Sequence, residues 1–224
     1  VKAALLLLAA GEGERFGGEV PKVLTPLAGT TILRRSLTPF LAIPAIHEVI
    51  VAAPERSLDE MKMSLPREPR VRVVAGGRTR QESARRALNA VHEEADLVVV
   101  HDAARPLVMQ DSIEAVLNAA EAHGAAVVAV SMVDTVKRVH EGVVEATLRR
   151  EVLWAAQTPQ AFRLSLYQEA HRRAEAEGFV TTDDASLIEH FDLCSVAVVQ
   201  GSPRNIKITH PEDLALAEFY LAHQ

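Results

Sequence analysis

Eight consecutive apolar residues, Ala3 to Ala10, run directly into Gly11-Glu12-Gly13-Glu14-Arg15-Phe16-Gly17-Gly18. In a strand, such a run has no polar face to turn to water. It therefore requires cover on both sides, the condition of a central strand in a parallel sheet. A bilayer span is excluded, since that takes about 20 residues. Lys2 followed by an apolar run also has the outline of a secretory signal. The glycine-rich turn behind it reads instead as the end of a buried strand, and the chain as cytoplasmic.

The rest of the chain alternates in the same way. Strands are expected at Glu48–Ala53, Val71–Ala75, Asp96–His101, Ala125–Ser131 and Leu193–Val199. Helices are expected from Thr31 to Leu41, from Gly77 to about Val91, from an Asp111 cap to about Ala122, from Leu164, and from Pro211 to about Leu221. Repeated strand–helix units give right-handed crossovers and a mostly parallel sheet with helices on both faces, a three-layer, doubly wound α/β architecture. Leu214, Leu216, Ala217 and Leu221 are the expected apolar stripe of the last helix. The rhythm breaks between Met132 and Glu151, where Val136–Val139 and Val143–Leu148 flank His140-Glu141-Gly142 and read as a hairpin. A lone hairpin is marginal in water. This arm, about 133–152, therefore leans on something, most simply a second subunit.

With 224 residues, 48% hydrophobic and 24% charged, the sequence reads as one soluble domain, 1–224, that buries roughly 70% of its unfolded surface. A single cysteine, Cys194, rules out an internal disulfide framework and fits a reducing compartment. A net charge of −6 and 4% aromatics argue against a general nucleic-acid binder. Only five of the 24 basic residues are lysines. Each lysine in an unusual setting is therefore a mild signal.

The glycine loop fits neither familiar nucleotide fingerprint. A dinucleotide motif needs G-x-G-x-x-G, but Phe16 stands at the third glycine. A Walker A loop needs Lys after the second glycine, and Glu19 follows Gly18. Pro21 and Pro26 also prevent a helix from starting there. What remains is an extended loop carrying Arg15 and Lys22, suited to a polyphosphate. His101-Asp102-Ala103-Ala104-Arg105-Pro106 closes a strand, so Asp102 sits where open α/β sheets bind ligands and is a sensible Mg²⁺ ligand. A plain Asp102–Arg105 pair tying down the loop is the structural alternative. Lys207 is expected in a short strand, pointing away from Ile206 and Ile208. It would equally serve as an edge-strand lysine, and Thr182-Asp183-Asp184 as a helix cap.

Taken together, these segments form a collinear set. Leu8–Phe16 with Pro21-Lys22, Gly76-Gly77 with Ser83, and His101–Pro106 are joined by Asp134–Lys137, Gln157–Gln160, Thr182-Asp183 and Asn205–Thr209. From about Ala4 to Leu221 the chain resembles the 2-C-methyl-D-erythritol 4-phosphate cytidylyltransferases of the non-mevalonate isoprenoid pathway. The resemblance implies a nucleotide-diphospho-sugar transferase-like fold with a projecting β-hairpin arm, and transfer of CMP from CTP to a phosphorylated, methylated polyol with release of pyrophosphate. It also implies Mg²⁺ or another divalent cation, for which Asp102 is the candidate ligand by its place at the strand end, and a homodimer joined through the arm.

By the same resemblance, Arg15 and Lys22 stabilise the transition state, and Arg150 and Lys207 position the substrate's phosphate. Ala9, Ala10, Gly11, Gly13, Gly77, Ser83, Asp102 and Ala103 hold the nucleotide. Arg105, Thr135, Thr158, Thr182 and Asp183 line the substrate pocket, with Thr135 and Arg150 coming from the neighbouring subunit. Counting back from Leu153-Trp154 selects Arg150 over the adjacent Arg149, and Arg78 stands where some relatives carry Asp. Two anions must meet in such a reaction, so cations and positioning are the remedy. No general base is required, because a phosphate monoester is already ionised near neutrality. A ribitol 5-phosphate cytidylyltransferase or another sugar-phosphate nucleotidyltransferase would share these features. A nucleotide-binding sensor without catalysis is the alternative from a different class.

Overall fold

The computed structural model describes residues 1–11, 21–92 and 94–223. In chain order the strands are β1 (Ala3–Leu8), β2 (Pro26–Leu27), β3 (Thr30–Thr31), β4 (Ile46–Ala53), β5 (Val71–Ala75), β6 (Leu97–Asp102), β7 (Ala125–Ser131), β8 (Lys137–His140), β9 (Val143–Thr147), β10 (Trp154–Arg163) and β11 (Val196–Gln200). The helices are α1 (Ile32–Leu41), α2 (Leu58–Ser64), α3 (Arg80–Leu88), α4 (Gln110–His123), α5 (Leu164–Glu177), α6 (Ala185–His190) and α7 (Glu212–Ala222). Seven strands make one sheet in the order β11-β7-β10-β6-β1-β4-β5, with β10 antiparallel to both of its neighbours.

β1 lies inside this sheet, parallel to β4 on one side and β6 on the other. Its unbroken apolar run follows directly from that position. Leu5 and Leu7 enter a core with Leu33, Leu37 and Phe40 of α1 and Ile113, Val116 and Leu117 of α4. Leu6 and Leu8 enter a second core with Ala84 and Leu88 of α3, Tyr167 and Ala170 of α5, and Leu187 and Ile188 of α6. Each buried leucine is worth about 1.5–3 kcal/mol, so β1 ties the three layers together. A third, smaller cluster joins Leu27, Ile32, Leu107, Ile208 and Ala217, and fixes the C-terminal segment beside the carboxyl ends of the strands. Among the described residues no helix is long and apolar enough to cross a membrane.

Several expectations need correction. β10 is an additional strand where none is expected, because Pro159 argues against one. It is tolerated because pairing with β7 breaks between Ala156 and Gln160, and pairing with β6 begins only at Gln160. Met109 occupies the N-cap position of α4 without a side-chain cap, and Asp111 sits in the first turn, where a carboxylate meets the helix dipole. Residues 205–209 form no strand, and Lys207 is held instead by the Ile208 amide bonding Ala104 O at 2.8 Å. Leu216 is exposed, and the buried side of α7 is Leu214, Ala217, Tyr220 and Leu221. Helix α3 ends at Leu88, three residues earlier than expected. α2 and α6 are short helices that their weak periodicity did not announce.

The hairpin β8–β9 turns through Glu141 and Gly142, with φ of +46° and +78°. Both values lie in the left-handed region, as a two-residue primed turn requires.

Candidate active site

The carboxyl ends of β1, β4, β5 and β6 converge on one rim. Beyond β1, the Ala9 amide bonds Ala52 O at 2.8 Å, and Ala103 bonds back to Leu8 O at 3.0 Å. Beyond β5, the Gly76 amide reaches Ala53 O at 2.7 Å. A Cβ on Gly76 would lie 2.3 Å from that of Ala10, so only glycine lets the two turns approach this closely. Gly77 faces the same restriction from the Glu82 side chain, and its amide donates to Ser83 Oγ at 3.0 Å. The buried Ser83 hydroxyl also reaches Thr79 O at 2.9 Å, which fixes the turn entering α3.

Asp102, the last residue of β6, is buried among cations. Lys207 Nζ lies 2.9 Å from Oδ2, Arg80 Nε 3.1 Å from Oδ1, and Arg105 Nε 3.8 Å from Oδ2. Burial alone would raise this carboxyl, but Arg80, Lys207 and Arg105 outweigh it and hold it far below the usual carboxylate range. It stays ionised.

The chain behind Asp102 is braced by a neutral histidine. His101 is buried, with Nε2 at 3.1 Å from Arg105 O and Nδ1 at 2.9 Å from Thr158 Oγ1. A carbonyl only accepts, so Nε2 carries the proton and Nδ1 accepts from the Thr158 hydroxyl. That hydroxyl in turn accepts from the Asp102 amide at 3.0 Å. Burial pushes the His101 pKa down to about 4, consistent with this neutral form. Asn205 closes the ring: its Nδ2 donates to Thr158 O at 2.9 Å, and its own carbonyl accepts from Arg105 Nη1 at 2.7 Å.

The structure therefore brings together Ala9, Ala10, Gly77, Ser83, Asp102, Ala103, Arg105, Thr158 and Lys207, with Gly11 at the outer end of the β1 turn. Lys22 lies half-buried in a 3-10 turn, Lys22–Leu24, between Pro21 and β2. It is near Asp213 of α7: burial there is outweighed by the His210 and Thr209 amides and by the His210 and Lys22 charges, which hold Asp213 low. Thr182 is exposed, and Asp183 Oδ1 accepts from the Ala185 amide at 2.9 Å. Burial raises the Asp183 pKa despite hydrogen bonds from Gln160 and that amide. Arg15 and Gly13 lie outside the described residues.

Thr135 and Arg150 stand apart. Arg150 belongs to a 3-10 turn, Arg150–Val152, between the arm and β10, and donates to Val133 O at 2.7 Å. Among the described residues, no hydrogen bond or ion pair links either residue to the Asp102 cluster.

Sequence reasoning missed Arg80 and Tyr167 and read Asp184 only as part of a helix cap, whereas its carboxylate makes no cap and binds both of them next to this cluster. One signal was available. Arg80 opens α3, where a cation opposes the helix dipole and so requires an anionic partner.

A carboxylate ringed by cations at the carboxyl ends of a mostly parallel sheet, beside close-packed glycine turns, suits a nucleotide's phosphates. The profile of the 2-C-methyl-D-erythritol 4-phosphate cytidylyltransferases matches residues 3–223. An enzyme of that name from Aquifex aeolicus is 46% identical over 95% of this chain and 94% of its own. Another, from Symbiobacterium thermophilum, is 43% identical over 100% and 94%. The crystal structure of the Thermus thermophilus enzyme superposes with a TM-score of 0.83 at 35% identity, covering 100% of both chains. That of 4-diphosphocytidyl-2C-methyl-D-erythritol synthase from Anaerococcus prevotii gives 0.89 at 31% identity, covering 99% and 96%. The chain belongs to the 2-C-methyl-D-erythritol 4-phosphate cytidylyltransferase family.

Proposed function

We propose that this chain transfers CMP from CTP to 2-C-methyl-D-erythritol 4-phosphate in the cytoplasm, forming 4-diphosphocytidyl-2-C-methyl-D-erythritol and releasing pyrophosphate. The observation that carries the reading is the Asp102 cluster, where Lys207, Arg80 and Arg105 surround one ionised carboxylate. A phosphate oxygen of the polyol attacks the α-phosphorus of CTP. The new P–O bond forms as the bond to pyrophosphate breaks, and charge builds on the leaving oxygens. Lys22 and Arg15 meet that charge, while Lys207 and Arg150 hold the incoming phosphate at attack distance. Gly77, Ser83, Ala9, Ala10, Gly11 and Gly13 take the nucleoside end. Arg105, Thr158, Thr182 and Asp183 line the pocket, and Ala103 contributes to the nucleotide site.

Among the described residues no three His, Cys, Asp or Glu side chains form a metal cluster. This donor set fits a divalent cation that arrives with the triphosphate, because Mg²⁺ in such sites takes one or two carboxylates and completes its shell with substrate oxygens and water. Asp102 is the carboxylate that would hold it. When bound, the ion neutralises triphosphate charge.

The arm supports a homodimer. Val133, Val139, Val143, Val144 and Trp154 on or beside it are all exposed, Val133 by 81%. A two-stranded ribbon with this much apolar surface gains stability from a second copy. Packing of that kind would also deliver Thr135 and Arg150 to the partner's site.

The test is pyrophosphate release from CTP and Mg²⁺ with 2-C-methyl-D-erythritol 4-phosphate and ribitol 5-phosphate in parallel. Release with the first alone is expected. Release with the second alone would move the substrate, and CTP binding without release would leave only a sensor.

A further inference from the structure

Arg80 links the Asp102 cluster to a buried post behind it. Its Nε reaches Asp102 Oδ1 at 3.1 Å, and its Nη1 bonds Asp184 Oδ2. Asp184 is 1% exposed and accepts at Oδ1 from the Tyr167 hydroxyl at 2.6 Å. Tyr167 is fully buried, stacked on Phe162 with centroids 4.7 Å apart and met edge-on by His171. The run Phe162–Tyr167–Asp184–Arg80–Asp102 thus crosses from the apolar core to the rim.

Each link removes a freedom. The aromatic packing fixes the Tyr167 ring, and its hydroxyl selects one oxygen of Asp184. The other oxygen holds one end of a planar guanidinium, whose far end meets Asp102. A planar fork held at both ends transmits orientation in a way a flexible ammonium would not. Asp102 Oδ1 is thereby occupied, and Oδ2 is left towards Lys207 and Arg105.

We propose that Arg80 is a positioning residue for the transfer reaction: anchored by Asp184 and Tyr167, it sets the rotamer of Asp102 so that Oδ2 alone faces Lys207 and the substrate. The inference rests on the proposed function for its kinetic arm only. A purely structural account is the alternative, in which the buried ion pairs merely hold α3 against the loop before α6. The two accounts differ in what a mild change in the post does at temperatures well below melting.

The experiment compares Arg80→Gln, Tyr167→Phe and the double variant, each with melting curves, steady-state kinetics and a crystal structure. Tyr167→Phe removes one hydroxyl, touches nothing at the rim and keeps the ring packing, so it folds even if Arg80→Gln does not. Expected for Arg80→Gln is a fall in kcat of about 10- to 100-fold with a smaller change in KM for CTP, the signature of misplacement. Tyr167→Phe should lower kcat several-fold, and it should add nothing once Arg80 is gone. In both crystal structures Asp102 should leave its rotamer or lose its contact with Lys207. The inference is overturned if Tyr167→Phe keeps kcat within about twofold, if the two losses simply add, or if Asp102 is unmoved in the variants. Wild-type protein that releases no pyrophosphate would refute the proposed function instead, and the crystallographic comparison would still decide the role of Arg80.

Discussion

Gly76→Ala is the sharpest test of how the nucleotide end of the site is built. The added Cβ would sit 2.3 Å from Ala10 Cβ, 3.1 Å from Ser83 Oγ and 3.3 Å from Ala53 O. Ordinary contact begins at 3.4 Å, so the two turns must separate by about 1.1 Å (3.4 − 2.3). Ala10 and Ala53 belong to the sheet rim, where backbone gives way reluctantly. Overpacking of this sort costs about 1–3 kcal/mol. For a chain of this size that lowers Tm by about 2–12 °C. A displacement near 1 Å at the site also costs on the order of 100-fold in kcat/KM, about 2.7 kcal/mol of transition-state stabilisation. The assays are calorimetric melting and pyrophosphate release at varied CTP. Adding Ala10→Gly deletes the partner of the closest contact, so the double variant should recover most of both losses. A Gly76→Ala protein that melts within about 1 °C of wild type and turns over normally would refute the close-approach argument, as would a double variant that recovers nothing.

Further predictions concern charge and pH. Lys22→Ala should abolish turnover while the protein stays folded by circular dichroism; near-normal rates would remove Lys22 from the mechanism. Arg150→Ala should raise KM for the polyol phosphate more than for CTP, and if Arg149→Ala does so instead, the positioning residue is its neighbour. Burial pushes His171 down to about 4 and leaves both ring nitrogens without a partner. Between about pH 6.5 and 4 the unfolded chain therefore binds a proton there that the folded chain refuses, and stability falls as the pH is lowered through that window. A shift from 6.5 to about 4 corresponds to about 3 kcal/mol at full effect. His171→Leu should accordingly raise Tm at pH 5 more than at pH 7.5; an equal change at both would show that His171 does not carry this dependence.

Much of the sheet was legible because its inner strands, β1 and β6 above all, are buried on both faces. β1 and β7 follow continuous apolar runs, β5 is an edge strand whose run is broken by the exposed Arg72, and β5 and β7 lie within their expected bounds to the residue. β10 was not legible, since Pro159 removes a ladder donor and only the broken register around Gln157–Pro159 makes room for it. Asp102, Lys207, Arg105 and Thr158 could be picked out by their place in ordered motifs, and the structure brings them together. Arg80 could not, because its meaning depends on two carboxylates, 22 and 104 residues further along. Tyr167 is harder still: at helical spacing it reads as a core aromatic, and only its hydroxyl bond to Asp184 links it to the rim.

The ring around Asp102 also fixes an order of assembly. Lys207 and Asn205 reach it from a segment packed through Ile208 and Ala217 against Leu27, Ile32 and Leu107. Contacts that span about a hundred residues form late, after shorter loops have closed. During synthesis, β1 and β6 with their helices can pack while residues 201–223 are still unmade. Until that segment docks, Asp102 lacks Lys207 and Arg105 lacks its carbonyl partner. The charge pattern for handling a triphosphate is therefore among the last things the folding chain acquires.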